Sequence, residues 1–348
     1  MKHQWLSFLW AGALAWVLLG CAKSVSPAAD GKFTGFVAPA NFPKPVYDIP
    51  AYPVTQAGFE LGRKLFYDAR LSRDNTISCG SCHIQGAAFT HHGHDVSHGI
   101  EDRLGKRNAP ALQNMAWYTS FMWDGGVGHL DMQPIAPIEN PVEMDESLAS
   151  VIAKLKASAD YPPLFEKAFG SRDISSARML QAMSQFMNML VSANSKYDRV
   201  MRKEGDSFTA DEQAGYELFK ARCATCHQEP LFTNQQFMNN GIGIGPNDDK
   251  GRYDISLIEK DKYTFKVPSL RNVMITAPYM HDGRLRTIDA VLRHYAEEVQ
   301  ASPNLAPGLN SGGRLGIPLT ANERLRIKAF LATLTDDSFI RNPAFAEQ

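Results

Sequence analysis

The sequence predicts an all-α protein made of two helical domains in tandem, and three observations carry that prediction. The pentapeptide pattern Cys-x-x-Cys-His occurs twice, as Cys79-Gly80-Ser81-Cys82-His83 and as Cys223-Ala224-Thr225-Cys226-His227. The residues around the two copies repeat as well. Apolar residues recur at helical spacing over 148–155, 177–191, 288–299 and 321–334, and no stretch sustains the alternation of a half-buried strand.

Each pentapeptide reads as a covalent attachment site for haem c. The two cysteines form thioethers to the porphyrin vinyl groups, and the adjacent histidine binds iron from the proximal side. One such pattern arises by chance or as a redox cysteine pair; two in one exported chain specify two haem c groups. Each half is then a cytochrome-c-like helical domain with one covalent haem c.

The repeat extends on both sides of the pentapeptides. Gly58-Phe59-Glu60-Leu61 precedes the first and Gly215-Tyr216-Glu217-Leu218 the second. Thr209-Ala210-Asp211-Glu212 has the form of a capping box opening the helix before the second site, and Thr55 is expected to open its counterpart. The first copy carries extra residues around 68–76. Downstream, Pro110-x-Leu112-x-Asn114 leads to Phe121-Met122-Trp123-Asp124-Gly125, and Pro268-x-Leu270-x-Asn272 leads to Tyr279-Met280-His281-Asp282-Gly283. In both, thirteen residues separate the proline from the tryptophan or histidine. Within the second half, the polar, Gly-rich segment 241–261 is expected to be a surface loop.

Composition narrows the partners and the compartment. The 348 residues have a formal net charge of -1, which argues against nucleic acid or an anionic membrane surface as a partner. Lys2 and His3 precede an apolar stretch from Trp5 to Leu19, too short for a comfortable membrane span. Residues 1–20 read as a signal peptide. Leu18-Leu19-Gly20-Cys21 resembles a bacterial lipobox, which makes Cys21 the lipidated first residue; a plain signal peptide cut further on is the alternative. Residues 21–50 then form a tether and lead-in. Of the five cysteines, four belong to haem sites and one to the lipid, so none is left for a disulfide.

Taken in order, these motifs resemble the bacterial diheme cytochrome c peroxidases and their MauG-type relatives. The resemblance runs from about Gly58 to Leu334 and rests on both pentapeptides, Arg107-Asn108-Ala109-Pro110, Phe121 to Gly125, Gln133, Pro141-Val142-Glu143-Met144, and Thr276 to Gly283. It implies that Glu143 is the general acid–base residue with Gln133 as companion, and that Trp123 lies between the haems. It implies a calcium ion held by Asn108, Thr276 and Pro278, oxygen donors that suit a hard cation. On the first haem His98 is the expected distal ligand, with His91, His92 and His94 as competitors. On the second, typical peroxidases place a methionine fourteen residues beyond the position of His281; here that residue is Tyr295, as in MauG-type enzymes. Met274, Met280 and His294 are the nearby alternatives.

The implied protein has an N-terminal peroxidatic haem domain over 51–205 and a C-terminal electron-transfer haem domain over 206–340. It faces the periplasm, lipid-anchored, and reduces hydrogen peroxide with electrons from a small cytochrome c or cupredoxin; family members are often homodimers. One alternative is a MauG-like enzyme that uses peroxide to oxidise residues of a partner protein. The other is a diheme electron-transfer cytochrome without catalysis.

Overall fold

The computed structural model describes residues 33–348, so the signal segment and the expected lipidation at Cys21 lie outside the described residues. The chain is mostly helical, and its frame is a crossed pair of helices used twice. Gln56–Phe66 packs across Ser176–Met189, and Ala210–Arg222 across Ala321–Ala332. Thr55 accepts from the Gly58 N–H at 3.0 Å, and Thr209 and Glu212 form the expected capping box.

Both crossings depend on a glycine. A Cβ on Gly62 would lie 1.9 Å from the Ala182 carbonyl oxygen, and one on Gly215 would lie 1.9 Å from that of Arg326. Four residues on, Phe66 packs against Phe186 with ring centroids 5.1 Å apart, and Phe219 against Phe330 at 5.0 Å. These contacts set the register of the repeat: Gly62 corresponds to Gly215, one helical turn past Gly58, the partner that sequence matching suggests. Helices this close can hide only hydrogen at the crossing point.

The predicted helices are found at Leu148–Ala157, Ser176–Met189 and Ala321–Ala332. The region 288–299 begins as an α-helix, Ile288–Arg293, and continues as a π-helical turn, His294–Glu298. The all-α expectation needs one correction. Phe237–Met238 pairs with Phe265–Lys266, and Asn310–Ser311 with Arg314–Leu315, as antiparallel ribbons two residues long. Strands that short carry no readable alternation. Within 241–261 only brief helical turns form, at Tyr253–Ser256 and Glu259–Asp261.

Two large hydrophobic cores result, one centred on Phe66, Phe89 and Phe186, the other on Phe219, Phe232 and Phe330, with a smaller cluster at Val299, Ala306 and Leu309. The chain does not divide between the two large cores at a single point. Phe339 and Phe345, near the C-terminus, belong to the first core, where Arg63 and Tyr67 donate to the Ala344 and Phe345 carbonyls. The lead-in is also built in: Phe36 and Phe42 pack on Trp117, whose Nε1 donates to the Pro43 carbonyl at 2.7 Å. From Phe33 onward the segment expected as a tether is therefore packed structure.

Asn114 and Asn272, matched in the repeat, join the halves. Both adopt left-handed backbone angles, φ 58 and 59, which asparagine tolerates. Their N–H groups donate to Leu190 and Leu334 carbonyls, and their Oδ1 atoms accept from the Ser192 and Asp336 N–H groups. Ser192 Oγ in turn donates to Asp336 Oδ2 at 3.2 Å. Beside them Arg271 forms a fully buried double hydrogen-bonded pair with Asp198, at 2.7 and 2.8 Å.

Candidate functional site

Each Cys-x-x-Cys-His segment lines a large cavity, of about 550 Å³ for the first and about 570 Å³ for the second. The first is opened by a single helical turn, Cys79–Cys82, where the Ser78 N–H donates to Ser81 Oγ at 3.1 Å. That turn sets both thiols toward the cavity they line. His83 Nδ1 is hydrogen-bonded to the Phe89 carbonyl at 2.7 Å, and His227 Nδ1 to that of Phe232 at 3.1 Å. Both phenylalanines sit at positive φ, 60 and 55, which turns their carbonyls onto the histidines. An imidazole held through Nδ1 keeps Nε2 for a metal.

Burial favours the neutral, metal-binding form of both imidazoles, pushing His83 down and His227 to about 4. Burial also pushes the thiols of Cys79 and Cys223 up to about 12 and Cys82 to about 11. They are held as thiols, unlike the activated thiolates of redox or metal-binding cysteines. A half-buried thiol pair, a neutral imidazole pinned through Nδ1 and a mostly apolar cavity fit covalent haem c in both places.

Glu143, Gln133 and His98 line the first cavity together with His83. Burial raises the Glu143 pKa above the usual carboxylate range, while Ser97, donating to Oε1 at 3.1 Å, opposes that rise. Ser97 is a residue the sequence does not single out. The His98 segment lies against the Glu143 backbone because Gly99 permits it: a Cβ there would come within 2.2 Å of the Val142 carbonyl oxygen. The Ile100 N–H closes the contact on the Glu143 carbonyl at 2.8 Å. Of the four candidate histidines only His98 lines the cavity. His94 bonds to His98 Nε2 through Nδ1 at 3.2 Å and stacks on His91 at 4.1 Å.

Tyr295 and Met280 line the second cavity, whereas Met274 packs in the second core and His294 turns its Nε2 to the Asn240 carbonyl at 3.1 Å. Burial pushes the Tyr295 phenol up to about 12. Met238, which the sequence does not mark, also borders this cavity, its sulfur 3.4 Å from Cys226 Sγ. The repeat register adds a comparison that counting could have supplied. Pro137 follows Trp123 by the same fourteen residues that separate Tyr295 from His281, and it lines the first cavity.

Trp123 lines both cavities. Its Nε1 donates to the Asn108 carbonyl at 2.8 Å, and its own carbonyl accepts from the Lys266 N–H at 2.7 Å. Asn108, Thr276 and Pro278, the expected calcium ligands, all border the second cavity. Asn108 Nδ2 is committed to the His94 and Asp95 carbonyls, which leaves Oδ1 as the amide atom for a cation. The four cysteines of the described residues form no disulfide.

Two such cavities, with Trp123 in the walls of both, fit a di-haem protein. Comparison with known proteins narrows the class. The family model of di-haem cytochrome c peroxidase matches residues 56–206. The chain is 34% identical over 324 residues to the methylamine utilization protein MauG of Methylorubrum extorquens, covering 90% of this chain and 88% of that protein. It is 34% identical over 301 residues to the cytochrome c551 peroxidase of Nitrosomonas europaea, covering 84% and 85%. A solved MauG-like protein associated with microbial copper homeostasis matches with a TM-score of 0.79 at 35% identity, over 89% of this chain and 97% of that one. The chain belongs to the di-haem cytochrome c peroxidase and MauG family, is an enzyme of the peroxide-dependent oxidoreductase type, and shares the family's requirement for two haem c groups.

Proposed function

We propose that the protein reduces hydrogen peroxide in the first cavity, with Glu143 as the acid–base residue. The observation that carries this reading is the position of Glu143: its carboxyl, raised in pKa by burial and held by Ser97, shares one cavity with Gln133 and His83. Cys79, Cys82 and His83 would hold the haem c, which would supply an iron site for peroxide and the path for the two electrons its reduction consumes. Glu143 would take a proton from peroxide and return it to the departing hydroxide; over the whole reaction one peroxide, two protons and those same two electrons give two waters. Positioned proton transfer of this kind contributes ~10²–10⁴-fold. Gln133 donates to the peroxide and holds it against Glu143, and His98 is the side chain available to close the iron site at rest.

Trp123 is the route between the cavities, and Cys223, Cys226 and His227 hold the second haem. Electrons arrive there from a small cytochrome c or cupredoxin in the periplasm, and calcium at Asn108, Thr276 and Pro278 ties the halves together. Glu143→Gln should cut peroxide turnover by two orders of magnitude or more, as about that much rests on acid–base catalysis; turnover at the wild-type rate would remove the proposal.

Tyr295 favours a second reading, in which peroxide serves to oxidise residues of a partner protein as in MauG-type enzymes. A hard anionic phenolate stabilises oxidised iron, where a soft thioether would favour reduced iron. Low-temperature EPR of the ferric protein and of Tyr295→Met separates the two: a His/Met signature already in the wild type would exclude the second reading.

A further inference from the structure

Lys266 is a half-buried cation with no carboxylate of the described residues paired to it. The residue borders both cavities, and burial pulls its ammonium pKa down to about 8. The rings of Tyr118 and Phe121 lie 5.2 and 5.7 Å from Nζ, and its one hydrogen bond to protein is to the Ser120 carbonyl. No carboxylate among the described residues forms an ion pair with it: Asp124, the nearest acidic influence, is taken by Arg107, which also holds Asp249. The other basic residues on the cavity walls differ from it. Lys106, Arg222 and Arg314 are solvent-exposed, and Arg107 is doubly paired.

Aromatic faces and a carbonyl compensate an ammonium only in part, and a buried charge without a paired anion is costly. Each haem c brings two propionate carboxylates into cavities whose shared wall holds this one unsatisfied cation. We propose that Lys266 is the seat of a haem propionate in the wall between the two cavities, and that its charge sets the reduction potential of the haem it holds. This rests on the haem c assignment above and not on the peroxide chemistry. The strand that carries Lys266 also donates its N–H to the Trp123 carbonyl, so the same residue ties the charged seat to the bridge between the cavities. Removing the ammonium leaves a propionate anion uncompensated near iron, which favours the ferric state and lowers the potential.

The test is a spectroelectrochemical titration of holoprotein carrying Lys266→Met, Lys266→Gln or Lys266→Arg, with attached haem counted from the pyridine haemochrome spectrum. The midpoint of at least one haem should fall in the Met and Gln variants and return toward the wild-type value in Arg. Two covalently attached haems with unmoved midpoints in both neutral variants, or a fall that Arg does not reverse, would overturn the role of Lys266 alone. Wild-type protein without haem would overturn the cofactor assignment together with it. If Lys266→Met does not fold, Lys266→Gln carries the same comparison.

Discussion

Ser97 donates a 3.1 Å hydrogen bond to Glu143 across 46 residues of sequence. The bond stabilises the charged carboxylate and so works against burial, which raises the Glu143 pKa. Taking Ser97 away removes the opposing influence. In Ser97→Ala the acid limb of the pH–rate profile for peroxide turnover should move to higher pH, because Glu143 must be ionised to accept a proton. Turnover well above that limb should change little. An acid limb that moves down, or stays in place, would contradict this account of Glu143.

Tyr295 lines the second cavity where Pro137 lines the first. Replacing the tyrosine with methionine should raise the potential of the second haem, within the span of ~0.8 V that axial ligands cover. Redox titration monitored at the haem bands measures it. The first haem, faced by Pro137 instead, should move far less.

The two helix crossings should respond alike to the smallest enlargement. Gly62→Ala and Gly215→Ala each drive a methyl group into a backbone carbonyl, and overpacking of that kind costs ~1–3 kcal/mol. Gly128→Ala, where a Cβ would meet nothing within 4 Å, is the control and should leave stability nearly unchanged. Urea unfolding of the three variants provides the comparison.

The Arg271–Asp198 pair is fully buried. Burial by itself would raise the Asp198 pKa, but Arg271 and Ser195 hold it below the usual carboxylate range. Arg271→Met strands the carboxylate and should destabilise by ~3–5 kcal/mol, with part of the loss recovered in the double variant with Asp198→Asn. The sign of the pH dependence follows from the depressed value. The contribution is fully present above the unfolded aspartate pKa of ~3.9 and is lost as pH falls through the lower folded value. Unfolding free energies across acid pH, wild type against the double variant, would show it.

Much of the frame is legible in the chain because it is local. Thr55, and Thr209 with Glu212, mark helix starts through contacts three residues apart, and the paired Pro-x-Leu-x-Asn segments announce Asn114 and Asn272. The candidate site is legible in part. Glu143, Gln133 and His98 are found on one cavity and Tyr295 on the other, but the sequence holds no sign that Ser97 reaches Glu143 or that Lys266 borders both. The register of the first helix misleads by one turn. Gly58 and Gly62 are alike as letters, and the Ala182 carbonyl pressing on Gly62, with Phe66 four residues on packed as Phe219 is, tells them apart.

By itself the sequence determined two Cys-x-x-Cys-His segments, their placement in a repeat, and the type of residue at each candidate position. Those properties depend on identity and short spacing along one chain. Only the tertiary structure decided that Phe339 and Phe345 complete the first core, that His98 and not its neighbours faces the cavity, and that Trp123 and Lys266 stand in the wall between the two cavities. Those properties depend on burial and on contacts between distant segments, and both come into being only when the chain has folded.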